Sequence, residues 1–240
     1  MPNFKERSSL LELLDRDDIP FNDIQLNMKE LDRINTLLGG HAITLAGLKR
    51  ILTHKKIVGP IRICEIGCGG GDNLRVIHEW SKQNNTEVIL MGVDINLHCI
   101  NYAQSRKENL GIDFVCSNYK NVAFKQQPDI IFSSLFCHHL NQDEFIEMLQ
   151  WCNTNASVGY FINDLQRHPL AYHSIKLLTS IFSTSYLVKN DAPISVLRGF
   201  SRNELIDLFK KAGTAHYSIN WKWAFRWLIC CVIKPTSNEQ

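Results

Sequence analysis

Features that would place a chain in a membrane or secretory class are missing from these 240 residues. The most apolar run, Trp227–Ile233, is far shorter than the ~20 residues that a membrane-spanning helix needs. The first residues are charged, and their apolar stretch is too short for the core of a signal peptide. We therefore expect a soluble, cytoplasmic protein without a membrane span.

An excess of charge of either sign is also missing. The formal net charge is +2, and no run of like charges forms a basic stripe along the chain. Neither the total nor its distribution favours a nucleic-acid partner. Charged residues make up 21% and hydrophobic residues 45% of the chain, as in an ordinary globular protein.

The eight cysteines form no C-x-x-C pair. Several lie in apolar runs, where a thiol behaves as a small hydrophobic group. A disulfide framework is not expected in such a chain, and the spacing of a structural zinc site is absent. From the sequence we expect no metal site.

The first part of the chain reads as helical. Residues 7–55 lack the alternation of a strand, and apolar residues around Leu31–Leu38 recur at helical spacing until Gly39-Gly40 stops that helix. Ile43–Leu52 is predicted to form another helix. We interpret residues 1–58 as an N-terminal helical cap.

Strands and helices alternate over most of the remainder, which we interpret as one domain over residues 59–236. The predicted strands are Ile61–Ile66, Glu87–Val93, Phe114–Cys116, Asp129–Ser134 and Ser157–Ile162; the predicted helices between them are Asp72–Gln83, Asn96–Glu108 and Asp143–Trp151. Such alternation predicts a parallel sheet with right-handed crossovers.

The end of the chain breaks this pattern. His216–Trp223 and Phe225–Ile233 are two β-rich segments with almost no residues between them, which requires an antiparallel hairpin. Residues 165–200, placed between the fifth strand and a predicted helix Arg202–Ala212, read as an inserted helical lid. The sequence thus predicts an α/β fold whose parallel sheet ends in an antiparallel hairpin.

A glycine-rich turn follows the first predicted strand. Residues 65–71 read Glu-Ile-Gly-Cys-Gly-Gly-Gly, and a helix begins directly after them. Glycines allow a tight turn and a close approach of the backbone to a ligand, and the helix end presents free N–H groups. A dinucleotide fingerprint would need a third glycine where Asp72 stands, so the fit to NAD or FAD is imperfect.

This run resembles motif I of the class I S-adenosylmethionine (SAM) methyltransferases, and the sheet with its terminal hairpin resembles their Rossmann-like fold. The resemblance implies SAM as cofactor. It implies that Gly67, Cys68, Gly69 and Gly71 cradle the amino-acid end of SAM and that Glu65 orders the loop or contacts the ligand indirectly. A structural reading, a tight turn without a ligand, stands beside it.

Further along the chain, the resemblance assigns contacts to the nucleoside. Asp94 ends the second strand, where a carboxylate can accept hydrogen bonds from both ribose hydroxyls. Asn118 stands where the family has an acid that touches the adenine amino group, and Tyr119 beside it is a candidate for the adenine pocket. Ile95 and Leu135 complete the predicted cofactor-binding set.

The segment that ends in His138-His139-Leu140 resembles motif IV, since many small-molecule methyltransferases carry "HHL" after this strand. An oxygen nucleophile must lose a proton, and histidine is suited to this at neutral pH. We predict His138 as the base, oriented by Asp164 after the next strand, with His139 as the nearest rival. Alternatively, both histidines pack against SAM or the lid. His41, His168 and His173 are weaker candidates.

The lid sequence suggests the substrate. Its apolar residues are Leu170, Tyr172, Ile175, Leu177, Leu178, Ile181, Phe182 and Tyr186. An apolar lid over a crevice favours an aromatic or lipid-like small molecule, although plain packing explains part of the pattern. The segments 163–173 and 221–227 resemble bacterial methyltransferases of polyketide or pigment pathways.

Several functions remain open at this point. The preferred hypothesis is a methyltransferase that acts on a hydroxyl of a small molecule, in secondary metabolism, as a monomer or homodimer. A C-methyltransferase of the quinone-pathway type uses the same fold and cofactor. An NAD-dependent oxidoreductase and a SAM-binding protein without catalysis are weaker alternatives.

Overall fold

The computed structural model describes residues 2–16, 18–54 and 57–233. A seven-stranded sheet runs through its centre in the order β3-β2-β1-β4-β5-β7-β6. Its strands are β1 (Ile61–Ile66), β2 (Val88–Asp94), β3 (Ile112–Cys116), β4 (Ile130–Ser134), β5 (Gly159–Leu165), β6 (Tyr217–Lys222) and β7 (Arg226–Val232). The first five are parallel, and β7 lies antiparallel between β5 and β6.

Eight α-helices accompany these strands in the described part of the chain. They are α1 (Phe21–Leu37), α2 (Gly40–Leu52), α3 (Asp72–Gln83), α4 (Leu97–Ser105), α5 (Gln142–Asn155), α6 (Pro169–Phe182), α7 (Tyr186–Arg198) and α8 (Arg202–Lys211). The predicted α/β class is confirmed: a parallel sheet ends in an antiparallel hairpin, with helices before it and a helical insertion after β5.

The central strands carry apolar side chains toward both faces of the sheet because helices cover both faces. In β4, Ile130 and Phe132 point into one core together with Phe161, while Ile131 points into the other together with Phe145. The first core packs against α2 and α3, and the second packs against α5 and α8. These two layers hold the strand ends, and hence the loops after them, in fixed positions.

Local sequence signals account for most helix starts. Asn96 caps α4, its side-chain oxygen accepting hydrogen bonds from the N–H groups of His98 and Cys99, which confirms the predicted cap. Asn141 and Ser201 form capping boxes with Glu144 and Glu204 at the starts of α5 and α8. All eight cysteines are free thiols, as expected.

The prediction placed too much helix before α1. Among the described residues from 7 to 20, the only helical element is a 3-10 turn, Leu13–Asp15, and Glu12 before it is extended. The Asp191 carboxylate on α7 accepts hydrogen bonds from the N–H groups of Leu13 and Leu14, so a tertiary contact replaces the helical bonds. Gly39, with a φ of 75°, ends α1, but Gly40 is the first residue of α2 rather than part of the stop.

Two boundaries near the lid also differ from the prediction. Strand β5 continues to Leu165, so Asp164 lies within the strand and not in the loop after it. The lid consists of α6 and α7 and begins only at Pro169. The predicted domain end at residue 236 lies outside the described residues, as do Met1, Asp17, Lys55 and Lys56 of the predicted cap.

Within residues 2–16, 18–54 and 57–233, no helix combines the length and the apolar character needed to cross a bilayer.

Candidate active site

A cavity of about 920 Å³ lies at the carboxyl ends of β1, β2 and β4. Five parts of the chain line it: the glycine-rich loop, the loop after β2, the loop after β4, the N-terminal segment with α1, and the lid with the β6–β7 hairpin tip. Ligand pockets usually measure ~300–1,000 Å³. This cavity has room for a nucleoside and for a second small molecule.

The glycine-rich loop forms one wall because its backbone adopts conformations that side chains would block. Gly67 has a φ of 69°, and a Cβ on it would lie 2.4 Å from the Phe136 ring. Gly71 has a φ of 74°, and a Cβ there would lie 2.6 Å from the Phe114 ring. Only glycine fits both requirements at these two positions, so the loop is built as a close-packed cradle.

Asp94 holds this loop in place. One oxygen of its carboxylate accepts a hydrogen bond from the Gly69 N–H at 2.9 Å, and the other accepts one from the Asn96 N–H at 2.9 Å. Burial raises the pKa of Asp94, and these backbone bonds act against the rise. A carboxylate oxygen can accept more than one hydrogen bond, so Asp94 can hold the loop and still receive a ligand hydroxyl.

Most of the predicted cofactor-binding residues border the cavity. Those that line it are Gly67, Cys68, Gly69, Asp94, Ile95 and Leu135. Leu135 has a φ of 55°, an unusual conformation for leucine that marks a constrained turn after β4. Glu65 lies below the loop, fully buried, and accepts a hydrogen bond from the Asn73 side chain at 3.0 Å. Burial raises the pKa of Glu65 well above its ordinary value.

Asn118 and Tyr119 lie outside the lining of the cavity. The Asn118 side chain is exposed and accepts a hydrogen bond from the Lys120 N–H, which starts a short turn after β3. The Tyr119 ring is buried against Trp151, with ring centroids 5.2 Å apart. Neither side chain lines the cavity. The adenine contacts assigned to them stay predictions that this geometry does not favour.

His138 and Asp164 meet as expected. Nδ1 of His138 lies 2.8 Å from an Asp164 oxygen, and both side chains are almost completely buried. The other ring nitrogen, Nε2, lies 3.4 Å from the carboxylate of Glu12. Burial acts to lower the pKa of His138, but Asp164 and Glu12 outweigh it and raise the pKa to about 9.

This arrangement does not favour the role of base predicted for His138, which stays a prediction. A carboxylate lies at each nitrogen of the imidazole, and both carboxylates favour its protonated form. Burial acts to raise the pKa of Asp164, but the charge and hydrogen bond of His138 lower it. In this geometry His138 and Asp164 form a buried ion pair beside Glu12.

His139 is the more accessible of the two histidines, with a side chain 23% exposed. Its Nε2 lies 3.7 Å from the other oxygen of Glu12, and its Nδ1 lies 3.3 Å from Asp15. The His138 and His139 rings are 4.4 Å apart between centroids. Both residues, together with Glu12 and Asp15, line the cavity and form its acceptor-end cluster.

The remaining histidines have other surroundings. Nε2 of His41 lies 2.8 Å from Asp72, the first residue of α3, and 3.6 Å from Asp32. His168 accepts a hydrogen bond from the Leu170 N–H at the start of α6 and stacks on Phe225. His41 thus ties α2 to the end of the glycine-rich loop, whereas His168 belongs to the lid. His173 is exposed and does not line the cavity.

Sequence reasoning missed several cavity residues. Glu12 carries no motif, and only the fold brings its carboxylate to the histidines. The hairpin tip was unexpected too, since Ala224 and Phe225 have φ values of 60° and 55° in a turn that usually requires asparagine or glycine. Arg226, buried at 3% exposure, lines the cavity, and its Nη2 donates to the Asn35 side chain. A charged residue at the head of an apolar strand was the signal for Arg226.

Residues 63–157 match the family of the methyltransferase domain. This segment contains the glycine-rich loop, Asp94 and both histidines of the acceptor-end cluster. No curated protein matches the chain.

Solved structures share the fold at low sequence identity. The plantazolicin methyltransferase BpumL in complex with SAH is 18% identical, with a TM-score of 0.65 over 91% of this chain and 92% of that one. The magnesium protoporphyrin IX methyltransferase of Synechocystis PCC 6803 with bound SAM is 10% identical, with a TM-score of 0.55 over 85% and 84%. A putative O-methyltransferase from Nostoc punctiforme PCC 73102 is 13% identical, with a TM-score of 0.56 over 85% and 59%.

Proposed function

We propose, from the premise that this chain contains a class I SAM-dependent methyltransferase domain, that it transfers a methyl group to a hydroxyl of a small apolar or aromatic molecule. The observation that carries the proposal is the shape of the cavity. One end has the glycine cradle and Asp94, and the other combines an apolar wall with the acceptor-end cluster.

The cradle fits the cofactor. Gly67 and Gly69 bring the backbone to the cavity wall, where a side chain would obstruct a ligand, and Asp94 offers a carboxylate for the ribose hydroxyls. Ile95 and Leu135 supply apolar contacts on either side. When bound, SAM supplies a methyl group on a sulfonium, which leaves a neutral thioether after transfer. An acidic side chain beside the loop is compatible with that positive charge.

The acceptor pocket is formed by the lid and by α1. Ile175 and Leu178 of α6, Val188 of α7 and Met28 of α1 line it, and the hairpin tip adds Phe225. Such a wall favours a molecule with an apolar body. Not all of the apolar lid faces inward: Leu170, Leu177, Ile181 and Phe182 are exposed to solvent.

The acceptor-end cluster orients the hydroxyl. The chain's main contribution to methyl transfer is alignment of the reacting atoms, which in favourable cases lowers a barrier by up to ~7–11 kcal/mol. Glu12 is the carboxylate that lies beside both histidines in this part of the cavity, and Ser195 and His138 fix its orientation. We assign to Glu12 the contact with the acceptor hydroxyl and the removal of its proton, with His138 and Asp164 as positioning residues.

Transfer to carbon is the second candidate. The observation that favours it is the engagement of both His138 nitrogens with carboxylates, which leaves this histidine without a vacant site for a proton. A carbon nucleophile in an activated ring depends less on a dedicated base. Oxygen transfer remains our first proposal because Glu12 faces the cavity.

A product screen tests the proposal. The purified protein would be incubated with SAM and a library of phenols and hydroxylated lipid-like compounds, and products would be identified by mass spectrometry and NMR. We expect one added methyl group on oxygen in apolar acceptors, and no product from the Asp94→Ala variant. Methylation only at carbon would favour the second candidate, and absence of S-adenosylhomocysteine (SAH) binding would contradict both.

A further inference from the structure

We propose that Glu12, His138 and His139 form a binding site for a divalent transition-metal cation at the acceptor end of the cavity. Each residue offers one ligand atom, and the three atoms all lie within 4.8 Å of one another. The inference rests on the proposed function only for the role of the cation, since binding itself is measurable without any acceptor.

The distances suit a small cation. Nε2 of His138 lies 3.4 Å from one oxygen of Glu12, and Nε2 of His139 lies 3.7 Å from the other. Two ligands bound at about 2.0–2.1 Å to a tetrahedral zinc ion lie about 3.3 Å apart. Small side-chain adjustments would therefore bring the three atoms to a common centre. The cation would replace the proton on Nε2 of His138, which leaves to solvent on binding. The cavity side would stay open for water or an acceptor oxygen.

A carboxylate lies behind each imidazole. Nδ1 of His138 lies 2.8 Å from Asp164, and Nδ1 of His139 lies 3.3 Å from Asp15. Metal-binding histidines usually have such a partner on the second nitrogen, because it fixes the ring and makes the ligating nitrogen a better donor. Here both histidines direct Nδ1 to an aspartate and Nε2 to the same glutamate, as a metal site requires.

Helix α7 holds these groups together through two of its residues. The Glu12 carboxylate accepts a hydrogen bond from the Ser195 hydroxyl at 2.8 Å. The backbone carbonyls of His138 and His139 accept hydrogen bonds from Arg198, which anchors the turn that carries both rings. Glu12 and His138 are 5% and 2% exposed, so both ligands are already withdrawn from bulk water. A preorganised, half-enclosed set of nitrogen and oxygen donors suits zinc or a similar cation.

A second group in the chain provides a contrast. Asp32, His41 and Asp72 also lie within 4.8 Å of one another, but this group has one imidazole and its carboxylates are used elsewhere. Asp32 accepts a hydrogen bond from Arg75 at 2.6 Å, and Asp72 accepts one from Asn35. Its positive neighbour and its single nitrogen donor make it a poor metal site. It supplies the matched control.

With a cation in place, the acceptor hydroxyl would be its open ligand. Coordination to a metal makes an O–H group more acidic, so the hydroxyl could lose its proton to water before the methyl group arrives. Glu12 would then serve as a metal ligand instead of removing the proton itself. The acceptor-end cluster would thereby select acceptors with a free hydroxyl over those without one.

Calorimetric titration of the metal-stripped, full-length protein with ZnCl₂ tests the site. We expect one zinc ion per chain, and a loss of affinity of at least ~100-fold in His139→Ala, which replaces the more exposed of the two rings and so disturbs the fold least. His41→Ala should bind zinc as the unmodified protein does. Asp164→Asn, with its fold checked by circular dichroism, should weaken zinc binding by ~10–100-fold.

Two results would overturn the metal site. The assignment is wrong if the unmodified protein binds no zinc, or if His139→Ala keeps its zinc affinity while His41→Ala loses it. SAH binding, measured on the same samples, separates this failure from that of the proposed function. SAH binding without zinc binding refutes only the metal site, whereas zinc binding without SAH binding refutes the methyltransferase proposal.

Discussion

The cavity has a histidine–aspartate pair at each end, and the two pairs differ in burial and in neighbours. His138 and Asp164 are 2.8 Å apart with side chains 2% and 1% exposed; His41 and Asp72 are also 2.8 Å apart, but 12% and 18% exposed. His138 of the first pair also lies 3.4 Å from a further carboxylate, Glu12. The second has Asp32 nearby, which Arg75 already neutralises.

We interpret the difference as a division between a catalytic and a structural role. The buried pair lies beside Glu12, and its aspartate stands inside β5. The more exposed pair joins α2 to the first residue of α3 and so holds the N-terminal helices against the glycine-rich loop. The proposed function thus gives the first pair a part in the reaction and the second pair a structural part.

The largest expected effect is a loss of turnover, and it should follow from a substitution in the acceptor-end cluster. Glu12→Gln removes the charge that the acceptor-end cluster presents, and turnover should fall by ~10²–10⁴-fold, as for loss of a proton-transfer group. SAH affinity should change less than about twofold, because the Glu12 side chain contacts Ser195 and the two histidines and not the glycine-rich loop. Steady-state kinetics and calorimetry measure the two quantities.

The control for this variant is His173→Gln, which alters an exposed lid histidine outside the cavity. Its turnover should match that of the unmodified protein. If Glu12→Gln keeps more than a third of the turnover, the acceptor-end cluster takes no part in the reaction.

The second effect is on stability and compares the two aspartates. Asp164→Asn leaves His138 as a charge in the core with one partner fewer, and breaking a buried ion pair costs about 3–5 kcal/mol of unfolding free energy. Urea unfolding would measure this loss. Asp207→Asn, which removes the exposed i,i+4 pair with Lys211, is the matched control and should cost about 0.3–0.5 kcal/mol. Equal losses in both variants would show that the buried pair has no special weight.

A smaller, pH-dependent effect on stability is expected for the pair of His41 and Asp72. Burial acts to raise the pKa of Asp72, but the hydrogen bond and charge of His41 outweigh it, and the pKa lies below its ordinary value. The stabilisation from this pair is therefore complete above the unfolded pKa of about 3.9 and is lost as the pH falls below it.

Asp72→Asn tests this directly by urea unfolding between pH 3 and 7. The variant should be less stable than the unmodified protein by about 1 kcal/mol near pH 7, the usual net value of a hydrogen bond. That gap should close as the pH falls through the native pKa of Asp72. A gap that stays constant down to pH 3 would mean that Asp72 acts through shape and not through charge.

Local pattern was sufficient for most of the fold. The glycine-rich turn, the acid that ends β2 and the terminal hairpin each carry a short-range signal, and the structure has all three where the sequence placed them. The predicted helix boundaries were wrong where a tertiary contact replaced a local one. Before α1, for example, the N–H groups of Leu13 and Leu14 donate to the Asp191 carboxylate instead of closing a helical turn.

Less of the candidate site than of the fold could be predicted from the sequence. The proximity of His138 and Asp164 followed from the order of neighbouring parallel strands, and the structure places them together. Glu12 could not be found, because more than a hundred residues of chain separate it from the histidines and no motif marks it. Glu12 adds a second carboxylate beside the His138 ring, and both carboxylates raise the pKa of this histidine.

The most direct test of the account is a calorimetric titration of SAH and of NAD into the unmodified protein and into Asp94→Ala. The Asp94 carboxylate accepts a hydrogen bond from the Gly69 N–H, and we propose that it also accepts hydrogen bonds from the ribose hydroxyls. Each hydrogen bond to a charged acceptor is worth about 1.5–3 kcal/mol. The account predicts that SAH binds, that NAD does not, and that Asp94→Ala weakens SAH binding at least tenfold. Tight NAD binding without a response to SAH, or an unchanged SAH affinity in a folded Asp94→Ala, would contradict it.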